Sequence, residues 1–278
     1  MPPPQILFED SEILVLDKPA GMVVDKSETQ QVGTVEDWLE ESGGTRSSTG
    51  TPPGKGTRFA GEARREREKL ERQGIVHRLD KDTSGVLLVA KTQTALENLQ
   101  TQFASRATKK EYICLVHGTV EKPGKIEGAI GRNPRDREKF IVLDGGKEAS
   151  TEYETEKLLV MSDEFIEKIF PDYSKIQLKK LRTMNYELFT LLSCHPLTGR
   201  THQIRVHLKH IGFPIVGDEK YVGRKMSRLD KRWCPRQFLH AAKLGFNHPK
   251  TGEWMEVESK LPEDLQQVLE KLTSELAN

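Results

Sequence analysis

Short runs of apolar residues separated by polar turns predict that this chain is built mainly from β-strands. Residues 5–8 and 13–16 flank an acidic turn and predict a hairpin. Residues 75–76 and 86–90 are apolar on either side of a polar segment, and both runs predict buried strands. The remaining runs predict strands around residues 112–116, 141–143, 150–155 and 188–193 and a late hairpin over residues 238–246 and 254–257.

Apolar residues at helical spacing occur in four further places. Thr34 predicts the cap of a short helix through Leu39, because Asp37 follows three residues later. The other helices are predicted to start at Thr94, to cover residues 203–211 and to end the chain over residues 265–276. Strands outnumber helices and many connections are hairpin-like, which predicts an α+β fold with a mixed sheet.

Residues 42–72 interrupt this pattern. Gly, Ser, Thr and Pro fill the first half of the segment, and a charged run fills the second half. This composition predicts a flexible insert that leads into a solvated helix. The segment is too short for a domain and longer than most ordered loops, so we expect it to be either disordered or functional.

Composition narrows the class of protein. The chain has 278 residues, of which 35% are hydrophobic and 31% are charged, so it can form one large core or two modest ones. No apolar run is long enough to span a bilayer, and the first residues do not have the pattern of a signal peptide. The three cysteines are widely separated, so we expect neither a zinc site nor a disulfide framework, and we predict a reduced, cytoplasmic protein.

The net charge of +1 conceals an uneven distribution. Residues 1–44 carry ten acids against two bases, and residues 253–278 carry seven acids against two bases. Residues 220–236 carry seven bases against one acid, with Tyr221 and Trp233 between them. A basic block with aromatic residues suits RNA phosphates and exposed bases, whereas charge alone favours a solvated surface to the same degree.

The densest polar segment, residues 77–85, lies between two predicted strands. Asp80 is flanked by Arg78 and Lys81, whose charges favour the ionised carboxylate. A positioned, ionised carboxylate can act as a nucleophile or as a base. The spacing alone is more typical of a charged turn in which the aspartate binds its own backbone.

Two further segments carry candidate chemistry. Residues 197–208 contain Arg200 and Arg205 without an acid, and a helix that begins near Thr201 would direct its N-terminus at an anion. An amphipathic helix with a basic face accounts for the same residues. Tyr112 lies at the start of a predicted strand, where a tyrosine is usually part of the core but can also stack on a base or carry a proton.

These segments occur in the order found in pseudouridine synthases of the RluA type, which the chain closely resembles from about residue 6 to residue 262. Asp80 falls at the catalytic aspartate of the family, within residues 76–90. Tyr112 falls at the active-site tyrosine of the family, and Arg205 falls at the arginine that pairs with the aspartate. The flanking blocks at residues 18–21, 212–218 and 239–241 match as well.

The resemblance implies one catalytic domain over residues 1–278, with the pseudouridine synthase fold. In this fold a central mixed, mostly antiparallel sheet is flanked by helices and loops. Family members often carry a small N-terminal S4 domain, and we expect this chain to lie in the branch that lacks it. The implied reaction isomerises uridine to pseudouridine in ribosomal or transfer RNA without a metal or a nucleotide cofactor. We expect a monomer that binds a structured RNA and no membrane.

The resemblance also implies roles for individual side chains. Arg78 is expected to displace the target base, and Asp80 to attack C1′ or to remove a sugar proton. Arg205 is expected to keep Asp80 ionised, while Tyr112 packs on the uracil and relays the final proton. Five more side chains are expected to contact the RNA: His77, Arg200, Lys220, Arg224 and Lys225.

Two alternatives come from other classes of protein. A non-catalytic RNA-binding or RNA-folding factor can keep the same fold, but it has no need of Asp80, Tyr112 and Arg205 together. A metal-dependent hydrolase can use His77, Asp80 and Asp82, although their spacing matches no metal-binding motif. We rank the isomerase above both alternatives.

Overall fold

A computed structural model describes residues 2–26, 32–42 and 70–273 of the chain. The chain divides into two compact units. Unit 1 comprises Met1–Lys110 and Ala241–Lys260, and unit 2 comprises Glu111–His240 and Leu261–Asn278. The prediction of one catalytic domain stays a prediction. Most of the predicted insert, residues 43–69, lies outside the described residues.

The described elements confirm the α+β prediction. The strands, in chain order, are β1 (Gln5–Glu9), β2 (Ile13–Lys18), β3 (Ser84–Ala90), β4 (Lys109–His117), β5 (Gly124–Glu127), β6 (Ile130–Asn133), β7 (Asp136–Val142), β8 (Ser150–Val160), β9 (Leu188–Pro196), β10 (Leu239–Asn247) and β11 (Trp254–Glu258). The helices are α1 (Val35–Ser42), α2 (Gln93–Ala104), α3 (Asp163–Ile169), α4 (Lys175–Thr183), α5 (Gln203–His210), α6 (Arg224–Asp230) and α7 (Glu263–Thr273), with a 3₁₀ turn at Glu71–Gly74. None of the helices in the described ranges is long and apolar enough to cross a membrane.

The strands of unit 1 lie in the order β1-β2-β3-β10-β11. β2 pairs with β1 and with β3 in antiparallel register, and the hairpin of β10 and β11 is antiparallel as well. β3 is buried along its whole length, which explains its continuous apolar sequence. Helix α2 packs Ala95, Leu96 and Leu99 into the same apolar cluster, and Thr92 caps the helix by accepting a hydrogen bond from the Ala95 N–H at 3.2 Å.

Two predictions for unit 1 have different outcomes. Thr34 Oγ1 accepts a hydrogen bond from the Asp37 N–H at 3.1 Å, and the Asp37 carboxylate accepts one from the Thr34 N–H at 2.9 Å. This reciprocal cap confirms the predicted start of α1. The predicted strand at residues 75–76 is wrong, because Ile75 forms only an isolated bridge to Val89 beside the 3₁₀ turn.

The strands of unit 2 lie in the order β4-β9-β8-β5, and β6 and β7 form a separate hairpin. β9 pairs in antiparallel register with β4 and β8, and β5 pairs with the first residues of β8. Helix α7 contributes Leu265, Val268 and Leu272 to the core of this unit, as its apolar spacing predicts. Helices α3 and α4, in the connection between β8 and β9, are not among the predicted elements.

The fully buried side chain of Asp230 is the centre of a hydrogen-bond network in unit 2. Its oxygens accept hydrogen bonds from the Tyr186 hydroxyl at 3.0 Å and from the Gly217 N–H at 2.9 Å. One oxygen also lies 3.0 Å from His117 Nε2. A buried carboxylate without partners is strongly destabilising, so these groups must be held together when unit 2 folds.

We predict that Asp230→Ala lowers the free energy of unfolding by about 3 kcal/mol or more, because the Tyr186 hydroxyl, the Gly217 N–H and His117 Nε2 all lose their acceptor. Urea unfolding followed by circular dichroism measures this change. Asp144→Ala removes an exposed carboxylate and serves as the control, with no expected change. Equal midpoints for both variants would show that the buried network does not stabilise the fold.

Candidate active site

The candidate aspartate lies on a short loop of unit 1 that is anchored on both sides. The loop leaves the bridge at Ile75 and enters β3 at Ser84. Leu79 is buried, and the Thr83 N–H donates to the Asp80 carbonyl at 3.1 Å, which closes a turn over residues 80–83. Asp80 itself is partly exposed, so its carboxylate lies on a fixed backbone within reach of solvent.

A fully buried lysine ties this loop to the start of the chain. Lys18 Nζ donates to the carbonyl oxygens of Pro19 at 2.9 Å, Met22 at 2.8 Å and Lys81 at 3.1 Å. The Gly21 N–H donates to the same Lys81 oxygen at 2.8 Å. Three acceptors are the full complement of an ammonium group, so the buried charge is solvated by backbone. The arrangement fixes the residue that directly follows Asp80.

Gly85 explains how the loop enters the sheet. Its φ is +115°, a value that L side chains rarely adopt, and a Cβ atom at this position would lie 2.1 Å from the Ala241 carbonyl oxygen of β10. Only glycine permits this approach of β3 and β10. The backbone that follows Asp80 is therefore held closely against the sheet of unit 1.

His77 fixes the start of the loop through contacts with β3 and α2. Its Nε2 accepts a hydrogen bond from the Leu88 N–H at 2.9 Å, and its ring stacks on Phe103 with a centroid distance of 4.9 Å. Burial, followed by the positive charges of Lys110 and Arg72, lowers the pKa of His77 to about 3. The imidazole is thus neutral at pH 7. These contacts give His77 a positioning role, and its predicted contact with RNA stays a prediction.

Arg78 is the most exposed of the candidate residues in the loop. Its side chain is 62% exposed, and one guanidinium nitrogen lies 3.5 Å from an Asp25 carboxylate oxygen. Arg72 makes a closer ion pair with the same carboxylate. Because exposed ion pairs contribute little stability, Arg78 can leave Asp25 at small cost. Its predicted role in displacing a base stays a prediction.

The second candidate arginine, Arg205, is held by a buried ion pair in unit 2. Its Nε donates to Asp218 Oδ2 at 2.7 Å, and a terminal nitrogen donates to Oδ1 at 2.9 Å. Arg205 is 6% exposed and Asp218 is 1% exposed. A bidentate ion pair of this kind fixes the plane of the guanidinium as well as its position. The predicted pairing of Arg205 with Asp80 stays a prediction.

Tyr221 completes the support of Arg205. Its ring centroid lies 5.1 Å from the Arg205 guanidinium carbon, within range of a cation–π contact. The Tyr221 hydroxyl accepts a hydrogen bond from the Phe140 N–H at 3.0 Å and lies 2.8 Å from His202 Nδ1. The same ring therefore joins α5, the hairpin of β6 and β7, and the segment after β9. Neither Asp218 nor Tyr221 was predicted as a site residue.

Gln203 fixes the loop that carries Arg200. Its amide oxygen accepts from the Thr198 hydroxyl at 2.6 Å and from the Arg200 N–H at 3.0 Å. The Arg200 Nε donates to the Glu148 carbonyl at 3.0 Å, and the side chain remains partly exposed. α5 begins at Gln203, after His202 in a left-handed conformation with φ of 56°. The helix therefore starts at the first residue of the predicted range 203–211, and the start near Thr201 on which the anion-binding argument depended is wrong.

Tyr112 and Lys110 lie on the same strand, β4. Tyr112 is partly buried opposite Cys194 of β9 and packs against the core of unit 2. Its predicted contact with uracil stays a prediction. Burial, together with the charge of Arg106, lowers the pKa of Lys110 to about 8. This ammonium group therefore titrates near physiological pH, and the pattern of the sequence alone does not reveal it.

The two aromatic residues of the basic block at residues 220–236 are not exposed, as stacking on RNA bases would require. Tyr221 is 6% exposed and Trp233 is 4% exposed, and the Trp233 indole N–H donates to the Tyr186 hydroxyl at 2.9 Å. Both rings pack in apolar clusters, so the interpretation that they stack on exposed bases is wrong. Lys220, Arg224 and Lys225 are exposed, and their predicted contact with RNA stays a prediction.

The described residues give no support to the metal-dependent alternative. Among the residues that the structure describes, no three His, Cys, Asp or Glu side chains are grouped so as to hold a metal ion. Within unit 1, His77 uses Nε2 to accept a backbone hydrogen bond. The hydrolase hypothesis required His77 as a ligand together with Asp80 and Asp82, so this geometry does not favour it.

Comparisons with known proteins identify the family. The family model described as RNA pseudouridylate synthase matches residues 12–210, a range that contains the candidate residues Asp80, Tyr112 and Arg205. An uncharacterised RNA pseudouridine synthase of Bacillus subtilis is 36% identical over 268 residues, which is 96% of this chain and 72% of that protein. The ribosomal large subunit pseudouridine synthase D of Nitrosomonas europaea is 36% identical over 274 residues, which is 97% of this chain and 65% of that protein.

The chain therefore belongs to the RNA pseudouridylate synthase family, whose members are isomerases acting on uridine in RNA. The fold agrees with this assignment. The human protein called RNA pseudouridylate synthase domain containing 1 has a TM-score of 0.63 and is 23% identical, and the match covers 94% of this chain and 87% of that chain. The predicted family and fold are confirmed.

We predict that stability depends on pH through His77. Its pKa is about 3 in the folded chain, compared with an ordinary value of 6.5. Between these values the unfolded chain binds a proton that the folded chain does not, so stability is complete above pH 6.5 and is lost as the pH falls. Between pH 7 and pH 5, the unmodified protein should lose about 2 kcal/mol more unfolding free energy than His77→Gln.

The measurement is urea unfolding at both pH values. The amide of His77→Gln can still accept from the Leu88 N–H, but it does not titrate. His210→Gln removes an exposed histidine and should keep the full pH dependence of the unmodified protein. Parallel pH dependence in the unmodified protein and in His77→Gln would show that His77 is not buried as a neutral ring.

Proposed function

We propose that this chain isomerises uridine to pseudouridine in the RNA of the large ribosomal subunit, with Asp80 as the catalytic carboxylate. The observation that carries the proposal is the anchored loop around Asp80, which lies inside the segment that matches the family. The choice of RNA is supported by relatives that are named for the large ribosomal subunit, at 34% to 36% identity. Transfer RNA is the other RNA class that the sequence suggests.

The reaction defines what the side chains must do. The bond from N1 of uracil to C1′ of ribose breaks, the uracil rotates, and C5 forms a new bond to C1′. The proton on C5 leaves and N1 gains one, so no atom is lost and no electron is transferred. The enzyme must therefore expose the nucleotide, stabilise the separated sugar and base, and move one proton.

Asp80 is proposed to act on the ribose. As an ionised carboxylate it either attacks C1′ or removes a sugar proton, and both routes weaken the bond to N1. Its turn and the Lys18 contacts beside it keep the backbone fixed while the sugar reacts. Such preorganisation lowers the barrier, because the group need not be reoriented in the transition state.

Arg205 is proposed to keep Asp80 ionised and aimed. The bidentate pair with Asp218 and the Tyr221 ring hold its guanidinium in one orientation. A guanidinium has five N–H donors, so it can bind a second acceptor in addition to Asp218. Tyr112 is proposed to pack on the uracil and to relay the proton from C5. A phenol can do both, because it combines an apolar ring with a hydroxyl.

The other candidate residues are proposed to contact RNA. Arg78 fills the space that the target base leaves, because its side chain is exposed and its ion pair with Asp25 is a weak one at 3.5 Å. Arg200, Lys220, Arg224 and Lys225 contact phosphates, and His77 contacts RNA only through the loop that it supports. The protein is further proposed to act in the cytoplasm as a monomer with one catalytic domain.

We predict that Asp80→Asn abolishes pseudouridine formation and leaves RNA binding intact. The amide is nearly the same shape as the carboxylate, but it is neither a nucleophile nor a base at this pH. The measurement combines single-turnover rates on protein-free large-subunit RNA, by carbodiimide-stop sequencing, with filter binding of the same RNA. Asp144→Asn, an exposed residue of unit 2, is the control with a normal rate. A near-normal rate in Asp80→Asn would contradict the assignment.

We predict that Asp218→Asn lowers kcat by about 100-fold with little change in KM, because a guanidinium held loosely cannot aim the catalytic carboxylate. Glu219→Gln, which neutralises the neighbouring exposed acid, should have normal kinetics. Thermal unfolding of both variants separates this effect from misfolding. A higher KM with an unchanged kcat would show that Arg205 contacts a phosphate instead.

A further inference from the structure

The connection between β8 and β9 is far longer than the strand pair requires. Val160 pairs directly with Leu188, so residues 161–187 leave the sheet and return to the same point. Hairpin connections of two to five residues are the usual solution. Here the connection contains two helices, α3 and α4, each capped by a serine side chain. It is an ordered addition to unit 2 that the sheet does not need.

The connection is fixed to the rest of unit 2. Phe170 is 1% exposed and lies in the apolar cluster of unit 2, with its ring centroid 6.1 Å from that of Tyr186. Arg232 stacks on Phe170 and Tyr173 at 5.1 Å and forms an ion pair with Asp172. The surface of the connection therefore has a defined position in unit 2.

Helix α4 presents an unbalanced positive charge. Its sequence contains four bases and no acid. Three of these bases, Lys175, Lys179 and Lys180, are exposed, and none has a carboxylate partner in the part of the chain that the structure describes. The fourth base of α4, Arg182, differs from these lysines because it forms an ion pair with Asp163. Uncompensated lysines on an ordered helix favour a polyanionic partner.

Helix α6 extends this positive charge. Lys225 Nζ lies 2.9 Å from the sulfur of Met184, the residue that directly follows α4, so α6 contacts the C-terminal cap of α4. Arg224, Lys225 and Arg228 are exposed on α6, whereas its acid, Asp230, is fully buried. We call this set the α4–α6 basic surface, and it consists of Lys175, Lys179, Lys180, Arg224, Lys225 and Arg228.

We infer that the α4–α6 basic surface binds the RNA backbone and that α4 is an RNA-binding element. Lysine is depleted in protein–protein interfaces, whereas lysine and arginine supply most contacts to phosphates. A row of flexible ammonium groups suits a backbone of changing shape, because each group is a point charge with rotatable donors. The inference rests on the proposed function, since it assumes an RNA substrate, and it adds α4 to the proposed contacts.

The test compares two triple variants of the full chain. Lys175→Glu, Lys179→Glu and Lys180→Glu reverse the charge of α4. Lys122→Glu, Lys157→Glu and Lys271→Glu make the same change at exposed lysines elsewhere in unit 2, as the matched control. The probe is a transcript of large-subunit ribosomal RNA, bound on filters over a series of KCl concentrations, with thermal unfolding as the check on folding.

The α4 variant should bind about tenfold more weakly than the control variant. The negative slope of log K against log salt should become shallower by about two, because fewer phosphates are neutralised. A glutamine triple at the same three positions should show a smaller loss of the same kind and keeps the test valid if the glutamate triple unfolds. Equal affinities and slopes for the α4 and control variants would overturn the inference. Pseudouridine formation by the unmodified protein is measured in parallel, so failure of the proposed function is visible separately.

Discussion

A charged group that folding removes from water must find partners inside the protein, and this constraint determines the geometry of both candidate segments. In unit 1, the buried ammonium of Lys18 gathers three carbonyl oxygens, one of them from Lys81 beside Asp80. In unit 2, Asp218 takes two donors of Arg205. Because an unpaired charge at either position would be strongly destabilising, the loops have few alternative conformations. Stability and the placement of the candidate catalytic groups therefore have the same physical cause.

Much of the fold follows from local pattern. The hairpin of β1 and β2, the capping box of α1, the buried strand β3 and the hairpin of β10 and β11 were predictable, because period-two or period-3.6 spacing and turn residues agree there. The prediction that Asp80, Tyr112 and Arg205 are catalytic residues came from the order of motifs that the chain shares with the family. Their spacing alone favoured a charged turn for Asp80 and a core position for Tyr112, and it left an amphipathic helix open as the explanation of Arg205.

The parts that sequence did not reveal depend on long-range contacts. Asp218 lies thirteen residues after Arg205, and nothing local shows that its carboxylate turns inward to meet the guanidinium. Tyr221 and Trp233 stand in a basic block that suggests exposure, yet tertiary packing buries both rings. Helices α3 and α4 are short and rich in charged residues, so the apolar periodicity gave no prediction there. The density of charged residues along the chain is therefore a poor guide to which neighbouring side chains are exposed to solvent.

The most direct test of the account is a map of pseudouridine across the RNA of cells that contain the protein, lack it, or carry it as Asp80→Asn. The account predicts that the same uridines of the large-subunit RNA lose the modification in both deficient strains. Sites that disappear in the deletion strain but persist with the substituted protein would contradict it, because they would show that Asp80 is not the catalytic group.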